Sequence, residues 1–174
     1  KLFTLNDKKN NFDILSHTFK GESQILKIKH NNNVKNINLK LIGKIQLKNI
    51  LMAILAANQS DIEITKILKV IPKIKSVEGR FQRIGKLKNQ SKVILDYAHT
   101  PDALKTCFLN LREQFPNKKI FLLFGCGGNR DQNKRSKMGK IADNFSDKIY
   151  LTDDNPRFEN TYKIRKDIKK GINK

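Results

Sequence analysis

The chain has 174 residues, 38% of them hydrophobic, and a formal net charge of +20. This length allows one ordinary domain or two small ones, and the lack of any run of about 18 apolar residues argues against a membrane-spanning helix. The first residues lack the charged flank and long apolar region of a secretory signal peptide. We therefore expect a cytoplasmic protein with reduced cysteines and no membrane partner.

The positive charge by itself suggests a nucleic-acid partner, because Lys and Arg neutralise phosphates. However, the 36 basic residues comprise 29 Lys and only 7 Arg, and they are spread along the whole chain together with abundant Asn and Ile. AT-rich coding sequence produces this composition whatever the fold. Nucleic-acid sites usually favour Arg and interleaved aromatic residues. No nucleic-acid partner is expected, and a basic DNA-binding module, whose affinity would depend steeply on salt, is kept as an alternative.

The first part of the chain changes its period at Gly43. Apolar and polar residues alternate before this point, which predicts an antiparallel β meander over residues 1–42. After it, apolar residues recur at helical spacing, which predicts a helix over 45–57 and a second one from a cap at Ser60 or Asp61 to Val70. Pro72 ends the second helix, and residues 72–80 are the predicted linker.

Strands and helices alternate beyond Arg80. The predicted strands cover residues 81–87, 92–97, 119–124 and 148–152, and the predicted helices cover 101–115, 134–145 and 161–170. This alternation is typical of βαβ units with a mainly parallel sheet. The last helix is not followed by a strand, and the chain does not begin with Met, so we expect a piece of a longer protein.

Ligands of such sheets bind beyond the carboxyl ends of the strands, where three polar loops are predicted. The first loop covers residues 96–102. Asp96 at the strand end could accept hydrogen bonds from ribose hydroxyls, and His99 could contact a base or a phosphate. Equally, Asp96 could cap the next helix and His99 could be a solvated loop residue.

The second and third predicted loops cover residues 125–131 and 152–159. Glycines in the second allow close approach of a ligand, although neither standard nucleotide fingerprint is present, and Arg130 is suited to grip a carboxylate. In the third, acids and an amide can accept from an ammonium group while Arg157 binds a carboxylate. Each loop alone could be an ordinary polar turn, but together they favour a zwitterionic ligand.

Three of these segments, 96–101, 125–131 and 153–157, together resemble the C-terminal domain of the Mur ligases that extend UDP-N-acetylmuramoyl-L-alanyl-D-glutamate. Residues 78–82 resemble the hinge that opens that domain. Residues 43–49 are similar to the family's G-x-F-N-x-x-N segment, with Ile45 and Gln46 in place of Phe and the first Asn. The resemblance implies an α/β chain with two parts. These are a truncated central ATPase-like domain of antiparallel strands plus helices (1–75) and a truncated Rossmann-like C-terminal domain with a mainly parallel sheet (76–174).

The resemblance also implies an activity, an ATP- and Mg²⁺-dependent ligase of peptidoglycan precursor synthesis. Its small-molecule substrates are the UDP-MurNAc-dipeptide and meso-diaminopimelate. The glutamyl carboxylate is activated as an acyl phosphate, which the amine of the incoming amino acid attacks. Relatives that add L-lysine are the nearest alternative, and they lack the arginine that corresponds to Arg157, since lysine has no second carboxylate.

Residue roles follow from the same resemblance. On the nucleotide side, Asn49 would contact adenine, Arg80 the phosphates and Asp96 the ribose, with His99 beside the nucleotide. The distal end of diaminopimelate would be held by Arg130, Asp154, Asn155, Pro156 and Arg157. The family's P-loop and its magnesium-linked carbamylated lysine would precede Lys1, and further substrate contacts would follow Lys174. We therefore expect no catalytic residue and no metal ligand within the 174 residues, which should be monomeric and inactive alone.

Overall fold

The computed structural model describes residues 12–30 and 33–173. They form two compact units, one ending at Asp96 and the other beginning at Tyr97. The division at residues 75 and 76 that the family resemblance implies stays a prediction. The β structure expected before Phe12 lies outside the described residues, as does most of the turn expected at Asn31–Asn33.

The first unit opens with a three-stranded antiparallel sheet in the order β1-β2-β3. Its strands are β1 (Phe12–Lys20), β2 (Ser23–His30) and β3 (Asn33–Leu39). The alternation in β2 places Leu26 and Ile28 in the core, both fully buried, as the pattern of a half-buried strand predicts. The predicted meander is confirmed over the described residues.

Two helices cover one face of this sheet. They are α1 (Lys44–Gln59) and α2 (Ile64–Val70), followed by a 3₁₀ turn (Ile71–Lys73). The buried residues of α1 follow helical spacing, and they join the strand residues in one hydrophobic core: Leu47, Leu51, Ile54 and Leu55. Both predicted helices are present, and Pro72 lies in the turn that ends the second one. The predicted cap of the second helix is wrong, since Ser60 ends α1 and Glu63 precedes the first residue of α2.

The next two strands correct the expectation of a parallel sheet. Strands β4 (Gln82–Lys86) and β5 (Lys92–Leu95) pair antiparallel in a sheet of their own. The prediction of parallel pairing is wrong for them because only residues 87–91 connect the two strands. A parallel crossover needs about a dozen residues or more.

The second unit alternates helix and strand, with α3 (Pro101–Gln114), β6 (Phe121–Phe124), α4 (Asn133–Phe145), β7 (Lys148–Leu151) and α5 (Thr161–Lys169). Strands β6 and β7 pair parallel, as predicted. Their inward residues Leu122, Phe124 and Leu151 pack with buried residues of the three helices. Among the described residues, no helix is both long and apolar enough to cross a membrane.

Candidate functional site

Two loops of the second unit lie side by side because their strands run parallel. We call residues 125–132, between β6 and α4, the glycine loop, and residues 152–160, between β7 and α5, the arginine loop. The amide of Thr152 donates to the carbonyl of Phe124 at 3.0 Å, and the amide of Gly128 donates to the carbonyl of Asn155 at 2.8 Å. The sequence predicted three loops at one sheet edge, and this is confirmed for these two. It is wrong for the loop over residues 96–102, which follows β5 in a separate sheet with β4.

Arg157 lies across the two loops in an unusual backbone conformation. Its φ of +51° is in the left-handed region, which is uncommon for a residue with a side chain. Its amide donates to Asn155 Oδ1 at 3.1 Å, and its Nη1 donates to the carbonyl of Gly128 at 2.8 Å. These two hydrogen bonds stabilise the left-handed backbone conformation of Arg157. They also hold its guanidinium against the glycine loop.

One cationic and one anionic side chain of the arginine loop lie close to Gly127. A methyl group in place of its hydrogen would lie 2.9 Å from Arg157 Nη1 and 3.8 Å from a carboxylate oxygen of Asp154. A side chain at this position would therefore displace the guanidinium from the place that it occupies beside the glycine. The arrangement provides one cationic and one anionic group within a few ångströms, which suits a ligand that carries both charges.

The remaining predicted substrate residues lie on the same two loops. Arg130 is exposed in the glycine loop, and Asn155 is exposed in the arginine loop. Pro156 is half-buried, and its carbonyl accepts from the amide of Glu159 at 3.0 Å. All five predicted substrate residues therefore belong to one pair of adjoining loops.

Arg135, which the sequence analysis did not single out, lies fully buried beneath these loops. Its guanidinium contacts Glu159 through both terminal nitrogens, at 2.9 and 3.0 Å. It also contacts Asp167 of α5 at 3.3 Å and donates to the carbonyl of Gly127 at 3.3 Å. A Lys-Arg pair at the start of α4 carries no local signal of burial, because the acids that neutralise this charge are distant in sequence.

The carboxylate of Glu159 connects Arg135 to the glycine loop. Its Oε1 accepts from the amide of Asn129 at 2.5 Å, and Asn129 Oδ1 accepts in turn from the amide of Phe158 at 3.0 Å. The hydrogen bond from Arg135, followed by the one from Asn129, lowers the pKa of Glu159. The charged form of this acid is therefore the form that holds the two loops together.

A lowered pKa makes stability depend on pH with a defined sign. The folded state binds the Glu159 proton less tightly than the unfolded state, so the stabilisation is complete above the unfolded pKa and is lost as pH falls through the folded one. We expect Glu159→Gln to lower the thermal stability of the chain at pH 7. The difference from the native chain should shrink towards pH 3, below the usual carboxyl pKa of about 4. Calorimetry of both proteins between pH 7 and pH 3 measures this difference in melting temperature. A difference that does not change with pH would contradict the prediction.

The predicted nucleotide residues divide between the two units. In the first unit, Asp96 Oδ2 accepts from the amide of Phe81 at 3.0 Å, which places the carboxylate beside Arg80. The side chain of Gln46, in the first turns of α1, approaches the carbonyl of Arg80 at 3.5 Å. Asn49 is exposed three residues further along α1, on the same side of the helix as Gln46. These contacts bring α1, which carries Asn49, the backbone of Arg80 and the carboxylate of Asp96 into one cluster of this unit.

The fourth residue, His99, is exposed in the second unit. Its Nδ1 lies 3.1 Å from the carbonyl of Tyr97, and its own carbonyl accepts from Lys134 Nζ at 2.7 Å. Thr100 caps α3 by accepting from the amide of Ala103 at 3.2 Å. The helix cap is therefore Thr100 rather than Asp96, whose carboxylate accepts from the amide of Phe81 instead.

Gln24 is a further residue of the first unit that the sequence did not reveal. It is fully buried, and its Nε2 donates to the carbonyls of Leu41 and Gly43 at 2.9 and 3.0 Å. Gly43 has a φ of +86°, and the ring of Phe81 lies against it. Gln24 therefore fixes the turn that opens α1 and, with it, the position of Asn49.

The donor chemistry of this cluster fits a nucleotide. A cationic side chain at Arg80 suits phosphate, a carboxylate at Asp96 suits ribose hydroxyls, and an amide at Asn49 suits a base. The described residues contain no group of three or more His, Cys, Asp or Glu side chains that could hold a metal ion.

A family model described as "Mur ligase, glutamate ligase domain" matches residues 79–174, which is more than half of the chain. The match includes both loops around Gly127. The chain belongs to the Mur ligase family. The resemblance inferred from the loop motifs is thereby confirmed.

Named Mur ligases of bacteria are similar over most of the chain. The UDP-N-acetylmuramoyl-L-alanyl-D-glutamate--2,6-diaminopimelate ligase of Rickettsia typhi is 37% identical over 177 residues, covering 95% of this chain and 35% of the relative. The ligase of the same name from Buchnera aphidicola is 44% identical over 135 residues, covering 78% and 26%. The chain therefore spans about a third of the length of these relatives.

Solved structures agree with the family. A structure of a UDP-N-acetylmuramoyl-L-alanyl-D-glutamate--2,6-diaminopimelate ligase matches with a TM-score of 0.68 and 29% identity, covering 97% of this chain and 34% of that one. Folylpolyglutamate synthase from Thermotoga maritima matches with a TM-score of 0.74 at 19% identity, covering 94% and 38%. The second match shows only that the α/β fold is shared with that synthase.

Proposed function

We propose that the chain is part of an ATP-dependent Mur ligase that joins meso-diaminopimelate to UDP-N-acetylmuramoyl-L-alanyl-D-glutamate. The observation that carries the proposal is the approach of the Arg157 guanidinium and the Asp154 carboxylate to the same glycine, Gly127. The distal end of diaminopimelate has one carboxylate and one ammonium group, and this pair of side chains complements both. The names of the Rickettsia and Buchnera relatives support the same substrate.

The reaction needs the amino acid to be held by the end that does not react. The other amine then attacks the glutamyl carbonyl carbon, phosphate departs from the acyl phosphate with its bonding electrons, and the nitrogen loses a proton to give the amide. Arg130, Asp154, Asn155 and Arg157 would bind the distal end, while Pro156 keeps the turn rigid. Such fixed orientation supplies much of the rate enhancement where the enzyme contributes little covalent chemistry.

The nucleotide would be bound by the cluster of the first unit, and the contact of His99 with the nucleotide stays a prediction from the family resemblance. Arg80 would contact the phosphates, Asp96 the ribose and Asn49 the base. When bound, ATP would supply the phosphoryl group that activates the glutamyl carboxylate, and Mg²⁺ would neutralise phosphate charge. Because the chain spans about a third of its relatives, the remaining groups of the site would come from the rest of the ligase.

The substrate assignment can be tested by the amino-acid dependence of phosphate release. We expect the complete ligase, supplied with ATP and UDP-MurNAc-L-Ala-D-Glu, to release phosphate with meso-diaminopimelate and at least about thirtyfold more slowly with L-lysine at the same concentration. L-lysine leaves Arg157 without a carboxylate partner, and an unpaired charge in a site costs about 2 kcal/mol or more. Equal release with L-lysine would contradict the assignment and favour a lysine-adding ligase.

A further inference from the structure

The guanidinium of Arg135 lies between the glycine loop and the arginine loop, where it contacts both. Its side chain has no exposed surface, while its two acidic partners, Glu159 and Asp167, keep 13% and 18% of theirs. Burial of a charge is unfavourable unless ion pairs and hydrogen bonds compensate it. Here the compensation comes from one acid of the arginine loop, one acid of α5 and a carbonyl of the glycine loop.

Arg135 contacts both of the loops that adjoin at Gly127. The fork of the guanidinium binds both oxygens of Glu159, two residues after Arg157 in the chain. The donors of the guanidinium are held in a rigid plane, so these hydrogen bonds are possible in only one orientation of the two loops. Its hydrogen bond to the Gly127 carbonyl fixes the residue against which Arg157 Nη1 lies. Any shift of Arg135 therefore changes the spacing of the two loops.

We propose that Arg135 is a positioning residue for amino-acid binding, which acts through Glu159 and the Gly127 carbonyl to set the distance between the loops that carry Arg157 and Arg130. Arg135 does not touch the substrate. This inference rests on the proposed function, and it deepens that function by assigning the selectivity of the site to a buried ion pair as well as to the exposed charges.

Arg135→Lys in the complete ligase tests the proposal, because lysine keeps the charge and loses the fork. We expect the KM for meso-diaminopimelate to rise about tenfold or more, with kcat and the KM for ATP changed by about twofold or less, since only binding of the amino acid is affected. Glu159→Gln should raise the same KM in the same selective way. Glu159→Gln removes the charge of the partner acid, so it tests the same ion pair even if Arg135→Lys does not fold.

Arg112→Lys is the matched control. Arg112 also bridges separate segments of the second unit, donating to the carbonyls of Lys118 and Phe145 at 2.7 and 3.4 Å, but it contacts neither substrate loop in the described contacts. Its replacement should lower the melting temperature and leave the KM for meso-diaminopimelate unchanged. A selective rise in that KM for Arg135→Lys but not for Arg112→Lys separates positioning from general stability.

The combination of Arg135→Lys with Arg157→Ala decides whether the two residues act together. Because part of the effect of Arg135 is exerted through Arg157, the rise in KM of the double variant should be clearly smaller than the product of the two single rises. Independent, multiplicative effects would overturn the inference, and so would a parallel change of every kinetic constant. If Arg157→Ala alone leaves the KM intact, the proposed function fails. If it raises the KM while Arg135→Lys does not, only this inference fails.

Discussion

Arg157→Ala should raise the KM for meso-diaminopimelate in the complete ligase by about 30- to 1,000-fold, which corresponds to about 2–4 kcal/mol. The guanidinium is the group that would pair with the distal carboxylate, and a charge without its partner in a binding site is costly. Removal of the side chain also deletes its hydrogen bond to the Gly128 carbonyl, which loosens the two loops. Steady-state kinetics with the amino acid varied at saturating ATP measures the effect.

Two variants make this experiment specific. Arg157→Lys keeps the charge without the paired donors, so its KM should lie between those of the native enzyme and Arg157→Ala. Lys105→Ala removes an exposed cation from α3, outside the two loops, and should leave the KM unchanged. An unchanged kcat/KM in Arg157→Ala, or an equal loss in Lys105→Ala, would contradict the assignment of the substrate site.

Gly128→Ala should destabilise the second unit by about 3 kcal/mol or more, because overpacking against backbone cannot be relieved by a side-chain rotation. The added Cβ would lie 1.8 Å from the carbonyl oxygen of Pro156 and 2.6 Å from its carbon. To remove this overlap the glycine and arginine loops must separate, which breaks the hydrogen bond from the Gly128 amide to the Asn155 carbonyl. Thermal unfolding of the chain should show a much lower melting temperature.

Gly85→Ala is the control for this substitution. A Cβ at Gly85 would meet nothing within 4 Å, and an alanine in strand β4 has less conformational freedom to lose on folding than a glycine. Its melting temperature should stay within a few degrees of the native value or rise. Similar stability of Gly128→Ala and the native chain would show that the two loops are not packed as closely as described.

Much of the secondary structure could be predicted because its causes are local. The alternation of β2, the helical spacing of α1 and the proline in the first turn of α3 are each read from a few neighbouring residues. The loops around Arg130 and Arg157 were also predictable, since glycines and charged residues directly follow apolar strands. Parallel pairing of β6 and β7 follows from the helix between them, and it brings those loops to one sheet edge.

The sequence by itself therefore determined the family, the elements and the residue types of the candidate substrate site. The tertiary structure alone decided which groups hold that site. It buried Arg135 under the loops against Glu159 and Asp167, placed Gln24 beneath the turn at Gly43, and paired β4 with β5 in an antiparallel hairpin. The physical reason is the range of the interactions: periodicity and capping act within a few residues, whereas each of the two buried polar networks joins groups that are between 8 and 32 residues apart in the chain.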